Sequence, residues 1–199
     1  MFAEKVSPAV EAPFFAFLAR LRFIRRWGLM HVSESENVLE HSLLVAFVAH
    51  ALATIRKQIF GKEADPERVA VIAMFHDASE VITGDVATPV KQFSDSTRLA
   101  FAELETYANS ELLSMLPSEL VGEYQPLLGA NDSEAKLVKI ADKLCAYIKC
   151  AQEIANGNCE FQSAFNAISQ ELEELQSVEA KYFLDVFGSS FLRPLDELR

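Results

Sequence analysis

The stretch Arg68-Val69-Ala70-Val71-Ile72-Ala73-Met74-Phe75-His76-Asp77-Ala78-Ser79-Glu80 runs an apolar helix straight into a cluster of polar groups. On a helix of ~3.6 residues per turn, His76 and Glu80 share one face, and Asp77 lies ~100° round from His76. An ionised carboxylate at the end of an apolar run costs several kcal/mol unless something compensates it. A metal cation is the simplest compensation. A satisfied core histidine beside a helix C-terminal acid is the ordinary alternative, and this stretch alone leaves both open.

Working outward, the chain has 199 residues, enough for one domain with a sizeable core, here read as a single domain over 1–199. Half of the residues are hydrophobic and the mean hydropathy is +0.12, which fits a deeply buried helical body. No uncharged apolar run reaches the ~20 residues needed to cross a bilayer. Met1-Phe2-Ala3-Glu4-Lys5 lacks the basic and apolar regions of a secretory leader, so a cytoplasmic location is expected, with no membrane partner. The net charge of −11 argues against a nucleic-acid polymer, whose backbone needs a Lys and Arg excess. A small phosphorylated ligand needs only a local cation or metal. Cys145, Cys150 and Cys159 lack CxxC spacing and read as reduced thiols.

Seven glycines and seven prolines punctuate the chain, and apolar positions recur at three and four rather than two. The periodicity predicts an all-α, single-domain bundle. Helices are expected from about Pro13 to Arg26, Leu39 to Gln58, Pro66 to Ile82, Ser94 to Met115, Ser118 to Leu128, Asp132 or Ser133 to Asn156, and Glu160 to Phe187. The second is apolar nearly all round and should be central. The last carries Glu171, Glu173, Glu174 and Glu179 on what is usually a solvated face.

Two further positions interrupt apolar helices as His76 and Asp77 do. His41 shares a face with Leu44, Val45, Val48 and Leu52, so it points into the core; Asp142 has Val138 and Cys145 as face neighbours. His50 falls on the face opposite His41 and reads as structural. Two imidazoles and two carboxylates make a mixed N/O set suited to a divalent transition metal rather than calcium, and so few protein ligands leave room for water and substrate.

This order, a histidine, then His-Asp, then an aspartate, resembles the HD-domain phosphohydrolases. Asn37-Val38-Leu39-Glu40-His41-Ser42, Phe75-His76-Asp77-Ala78-Ser79-Glu80, Thr83-Gly84-Asp85, Thr88-Pro89-Val90-Lys91 and Lys139-Ile140-Ala141-Asp142 resemble the YfbR-type 5′-deoxynucleotidases more closely, and Arg26-Trp27 also fits. Leu39 departs from the pattern, which more often has a small residue before Glu-His. The resemblance implies an HD-type bundle with metal ligands His41, His76, Asp77 and Asp142, holding Co²⁺, Mn²⁺ or Zn²⁺. It implies hydrolysis of deoxyribonucleoside 5′-monophosphates, a nucleotide as partner, and a homodimer. Glu80 then serves proton transfer, by orienting the attacking water or by protonating the leaving 5′-oxygen. Arg26 offers a planar fork to phosphate, against a plain role at a helix end. Trp27 would face the sugar, against core packing; Asp85 and Lys91 are candidate sugar and phosphate contacts, against plain surface charges, and Thr88 is a further candidate substrate contact. The competing readings are an HD-type hydrolase of triphosphates, cyclic nucleotides or alarmones, and a non-catalytic nucleotide-binding regulator.

Overall fold

The computed structural model describes residues 11–130 and 132–198. The leaderless N-terminus expected from Met1 to Lys5 lies outside them. Among the described residues the chain is helical throughout, with one isolated antiparallel bridge, Arg25 to Asn37, and no strand.

The centre is α2 (Val38–Gln58). Asn37 caps it through a reciprocal box: its side chain accepts from the Glu40 amide, and the Glu40 carboxylate accepts from the Asn37 amide at 3.2 Å. That cap fixes where the helix begins, and so sets His41 in its first turn. α2 packs against α3 (Pro66–Phe75) and α8 (Ser133–Ala155), and the three share a core of Val45, Ala49, Leu52, Val69, Ala73, Leu137, Ala141 and Leu144. By length and composition α2 is long and apolar enough to span a bilayer, but Glu40, Arg56 and Lys57 keep its uncharged run short, as the sequence indicates, and its apolar residues largely line this core. Leu39, Leu43 and Phe47 form an exposed stripe on its outer side.

A second, smaller cluster joins α1 (Phe14–Leu18) to α6 (Asp95–Ser114) and α7 (Ser118–Leu128) around Phe14, Leu112 and Leu128. α1 stops at Leu18 and continues as a 3₁₀ turn, Ala19–Phe23, so it is shorter than the periodicity predicts. Two other corrections matter more. The helix expected over Pro66–Ile82 ends at Phe75; a turn carries His76 to Ser79, and a separate short α4 (Glu80–Thr83) follows. Gly84, at φ 73°, reverses the chain after α4 into the loop that holds α5 (Thr88–Lys91).

The last expected helix is two, α9 (Gln162–Glu174) and α10 (Val178–Phe187), broken where Gln176 takes φ 46° and Ser177 caps α10. Glu179, expected on a solvated face, is buried at 2% exposure and accepts from Arg56 Nε at 2.8 Å. Burial favours its neutral form, but Arg56 and Ser177 hold its carboxyl below the ordinary 4.5. Its contribution to stability is therefore full above pH 4.5 and is lost as pH falls through its lower folded value. Glu179→Gln should cost about 2 kcal/mol at neutral pH, and thermal melts below pH 4.5 should show the gap to the native chain closing. Equal gaps at both pH values would refute the pairing.

Candidate active site

Three helices deliver the polar groups. His41 comes from the first turn of α2, His76 and Asp77 from the turn ending α3, and Asp142 from the middle of α8. His41, His76 and Asp77 each bring one donor atom within 4.8 Å of the others. Asp142 joins through His41, whose Nε2 lies 2.9 Å from Asp142 Oδ1 and 3.8 Å from Asp77 Oδ2. The four predicted ligands thus converge, and His50 is exposed away from them.

The ring orientations fit a cation. His76 Nδ1 donates to the Ala73 carbonyl at 2.7 Å, which turns Nε2 inward; that atom is buried without a hydrogen-bond partner, 3.1 Å from Asp77 Oδ2. His41 turns Nδ1 toward Glu36 Oε1 at 3.6 Å and Nε2 toward the two aspartates. A hydrogen bond on Nδ1 of His76, a carboxylate facing Nδ1 of His41, and Nε2 of both rings aimed at carboxylates make the arrangement that orients histidine ligands to a metal. Two nitrogens and two carboxylates from rigid elements suit a divalent transition ion.

The carboxylates give the centre a field that favours positive charge. Burial favours a neutral His76, but the adjacent Asp77 carboxylate outweighs it and holds the ring up at about 9. Asp142 is held well below the ordinary carboxylate range: burial opposes this, and the His41 hydrogen bond, His76 and Arg26 overcome it. Its side chain remains 39% exposed, so the centre is open on that side.

Arg26 follows the 3₁₀ turn and lies 3.5 Å from Asp77 Oδ2 and 4.0 Å from Asp142 Oδ1. Burial would lower its pKa, yet these acids raise it, so the guanidinium stays charged at the lip of the centre. Trp27 takes φ 58°, a left-handed conformation that costs a bulky residue about 1–3 kcal/mol and persists only where its surroundings over-determine it. Here they do: its Nε1 donates to Glu36 Oε2 at 3.3 Å and its ring lies 5.2 Å from that of Phe161.

Glu80 is 5% exposed, with Oε2 lacking a hydrogen-bond partner and Oε1 3.7 Å from Lys91 Nζ. Burial, then the charges of Asp77 and Asp85, push its carboxyl up to about 8. The sequence placed Glu80 on one continuous helix with His76; the structure places it at the start of α4, across the turn. Asp85 is half-buried on the following loop and reaches Glu80 through its field. Lys91, a candidate phosphate contact, is engaged between Glu80 and Glu105. Thr88 is exposed on the same loop. Sequence reasoning missed Glu36: it belongs to no motif, and only its position beside Arg26, Trp27 and His41 marks it.

This architecture is that of the HD-domain phosphohydrolases. One such protein from Listeria innocua superposes with a TM-score of 0.78 at 25% identity, covering 92% of this chain and 89% of that one. A cyanophage S-2L HD phosphohydrolase, bound to dA and one catalytic Zn²⁺, shares the fold at a TM-score of 0.65 and 17% identity, covering 88% of this chain and 95% of that one. Residues 13–191 match the model of the YfbR-like 5′-deoxynucleotidases, and the chain belongs to that family. It is 47% identical over 191 residues to a 5′-deoxynucleotidase of Vibrio cholerae, covering 94% of this chain and 98% of that protein. It is equally similar to the 5′-deoxynucleotidase YfbR of Escherichia coli O1:K1, covering 96% of that protein.

Proposed function

We infer that this chain is a 5′-deoxynucleotidase, an enzyme that hydrolyses deoxyribonucleoside 5′-monophosphates to deoxynucleoside and phosphate, with His41, His76, Asp77 and Asp142 holding one divalent cation. The observation that carries the site is the convergence of two imidazoles and two aspartates beside a buried Glu80 whose Oε2 has no hydrogen-bond partner. When bound, a cation of the Co²⁺, Mn²⁺ or Zn²⁺ type supplies Lewis-acid polarisation of the phosphoryl group and lowers the pKa of water. The side chains do the rest. Arg26 presents its fork to the phosphoryl oxygens and neutralises charge that grows during transfer. Glu80, whose carboxyl is pushed up to about 8 by burial, Asp77 and Asp85 in the metal-free chain, transfers the proton: it orients the attacking water or protonates the leaving 5′-oxygen. Lys91 steadies Glu80 from 3.7 Å, and Asp85 adds a negative charge that favours its protonated form. Thr88, on the same loop, is the remaining candidate substrate contact.

Release of inorganic phosphate from a panel of deoxy- and ribonucleotides, with and without added Mn²⁺, Co²⁺ or Zn²⁺, tests the reading. Phosphate from deoxynucleoside monophosphates with metal is the expected result. Pyrophosphate or triphosphate release would move the chain to another HD-type reaction, and no release at all would make it a binding protein.

Trp27, locked in its left-handed backbone, faces the sugar and leaves no space for a 2′-hydroxyl. Trp27→Ala should narrow the preference for deoxyribose over ribose by about tenfold or more in kcat/KM; an unchanged ratio would assign the ring to packing alone. The free thiols Cys145, Cys150 and Cys159 fit a cytoplasmic enzyme. The exposed stripe Leu39, Leu43 and Phe47 supports a homodimer, so sedimentation should give about twice the 22.2 kDa chain mass; a monomer at micromolar concentration would rule that out.

A further inference from the structure

Glu36 sits in the loop that leads into α2, and its two oxygens have separate tasks. Oε2 accepts from Trp27 Nε1 at 3.3 Å and lies 3.4 Å from Arg26 Nε. Oε1 lies 3.6 Å from His41 Nδ1. One carboxylate, 16% exposed, therefore touches a metal ligand, the phosphate fork and the sugar-facing ring.

Its own position is fixed from two sides. The Arg26 amide donates to the Glu36 carbonyl at 3.0 Å, so the two residues are paired through the backbone as well. Two residues earlier, Lys149 donates to the Glu34 carbonyl at 2.7 Å, and the Ser33 amide donates to the Glu153 carboxylate at 2.9 Å. Both partners belong to α8, the helix that carries Asp142. Glu36 is thus referenced to the same rigid element as the centre it serves.

We propose that Glu36 is a positioning residue that sets His41, Arg26 and Trp27 in mutual register, so that metal affinity and sugar discrimination depend on one side chain. This rests on the roles given above to those three residues. A carboxylate on the far nitrogen of a ligating histidine fixes the ring and strengthens its donation. At the guanidinium it occupies the Nε side, leaving the terminal nitrogens toward Asp77, Asp142 and the phosphate. At Trp27 it holds the indole N–H, and with it the plane of the ring.

The test uses Glu36→Gln in the full chain, with three readouts. Calorimetric titration of the chelated protein with Mn²⁺ should show affinity lowered ~10–100-fold. The kcat/KM ratio for deoxyribo- over ribonucleoside monophosphates should fall about tenfold. Emission from Trp27, the single tryptophan, should shift in the metal-free protein because a charge beside the indole is gone. Glu36→Asp keeps the charge but withdraws it by one methylene, and should fail on the same readouts if the Gln variant does not fold. Trp27→Phe, which removes only the N–H partner and indole edge, should lose sugar discrimination at native metal affinity. A purely structural Glu36 would lower the melting temperature and leave the sugar ratio and metal affinity alone; that result overturns the proposal, and so does the loss of one readout without the other. A native chain that neither binds Mn²⁺ nor releases phosphate would instead sink the functional reading itself, and this inference with it.

Discussion

Glu80→Gln should give a chain that melts at a higher temperature than the native one, still takes up its divalent cation, and releases phosphate roughly 10²-fold more slowly. Both effects have the same origin. The native carboxyl is buried, one of its oxygens has no hydrogen-bond partner, and Asp77 and Asp85 press on it, so its pKa rises from 4.5 to about 8. An unfolded Glu80 releases its proton above pH 4.5, whereas the folded one keeps it until about 8. Stability is therefore lost as pH rises across that window, by up to about 3 kcal/mol at neutral pH. An amide of the same shape carries no such penalty and has no proton to give. Melting the chelated proteins across pH should show the gain growing from pH 4.5 upward and absent below it. A Gln variant that is less stable at neutral pH, or one with native turnover, would remove Glu80 from the proton-transfer role. Retention of a costly group that only the reaction needs is the usual trade between activity and stability.

Asp77→Ala should abolish metal uptake and lower turnover by at least about 10³-fold, while far-ultraviolet dichroism stays native. Asp77 lies in the turn between α3 and α4, so no helix depends on it, yet it touches His76 at 3.1 Å, Arg26 at 3.5 Å and His41 at 3.8 Å. Its removal takes one anion from the ligand set and unpins the fork together. Elemental analysis after reconstitution with Mn²⁺, beside a phosphate assay, reads both losses. His50→Ala, on the exposed side of α2, is the control and should change neither. Stoichiometric metal and native turnover in the Asp77 variant would end the case for this centre.

The central helices and the convergence of His41, the His76-Asp77 pair and Asp142 were legible because periodicity and polarity disagree at those positions: these residues are polar where the pattern demands apolar. The interruption at His76 was not legible. Nothing in His76-Asp77-Ala78-Ser79 is a helix breaker; the ladder tightens because the His76 ring takes the Ala73 carbonyl, and the next amides bond three residues back instead of four. Side-chain hydrogen bonding of that kind leaves no trace in a hydrophobic period. Glu179 was misread for a related reason. Its acidic neighbours suggested solvent, while the partner that buries it, Arg56, lies on α2, far away in sequence. The break at Gln176 has no glycine to announce it. Glu36 shows the same limit from the functional side, since its three partners meet only once the loop has folded back onto α2 and α8.

Glu153 on α8 gathers the Ser33 amide and hydroxyl, the Lys149 ammonium and the Asn158 amide around one carboxylate that is 1% exposed. Asn158 also reaches the His31 carbonyl at 2.8 Å, so the chain from 31 to 34 and the end of α8 form a single knot. Such a knot makes an otherwise irregular segment exchange its amide hydrogens together with a core helix rather than with the neighbouring loops. The chain leading into α2 is thereby anchored to α8, whereas the segment after Gly84 has no such anchor among the described residues and leaves Ala87, Pro89 and Phe93 in solvent.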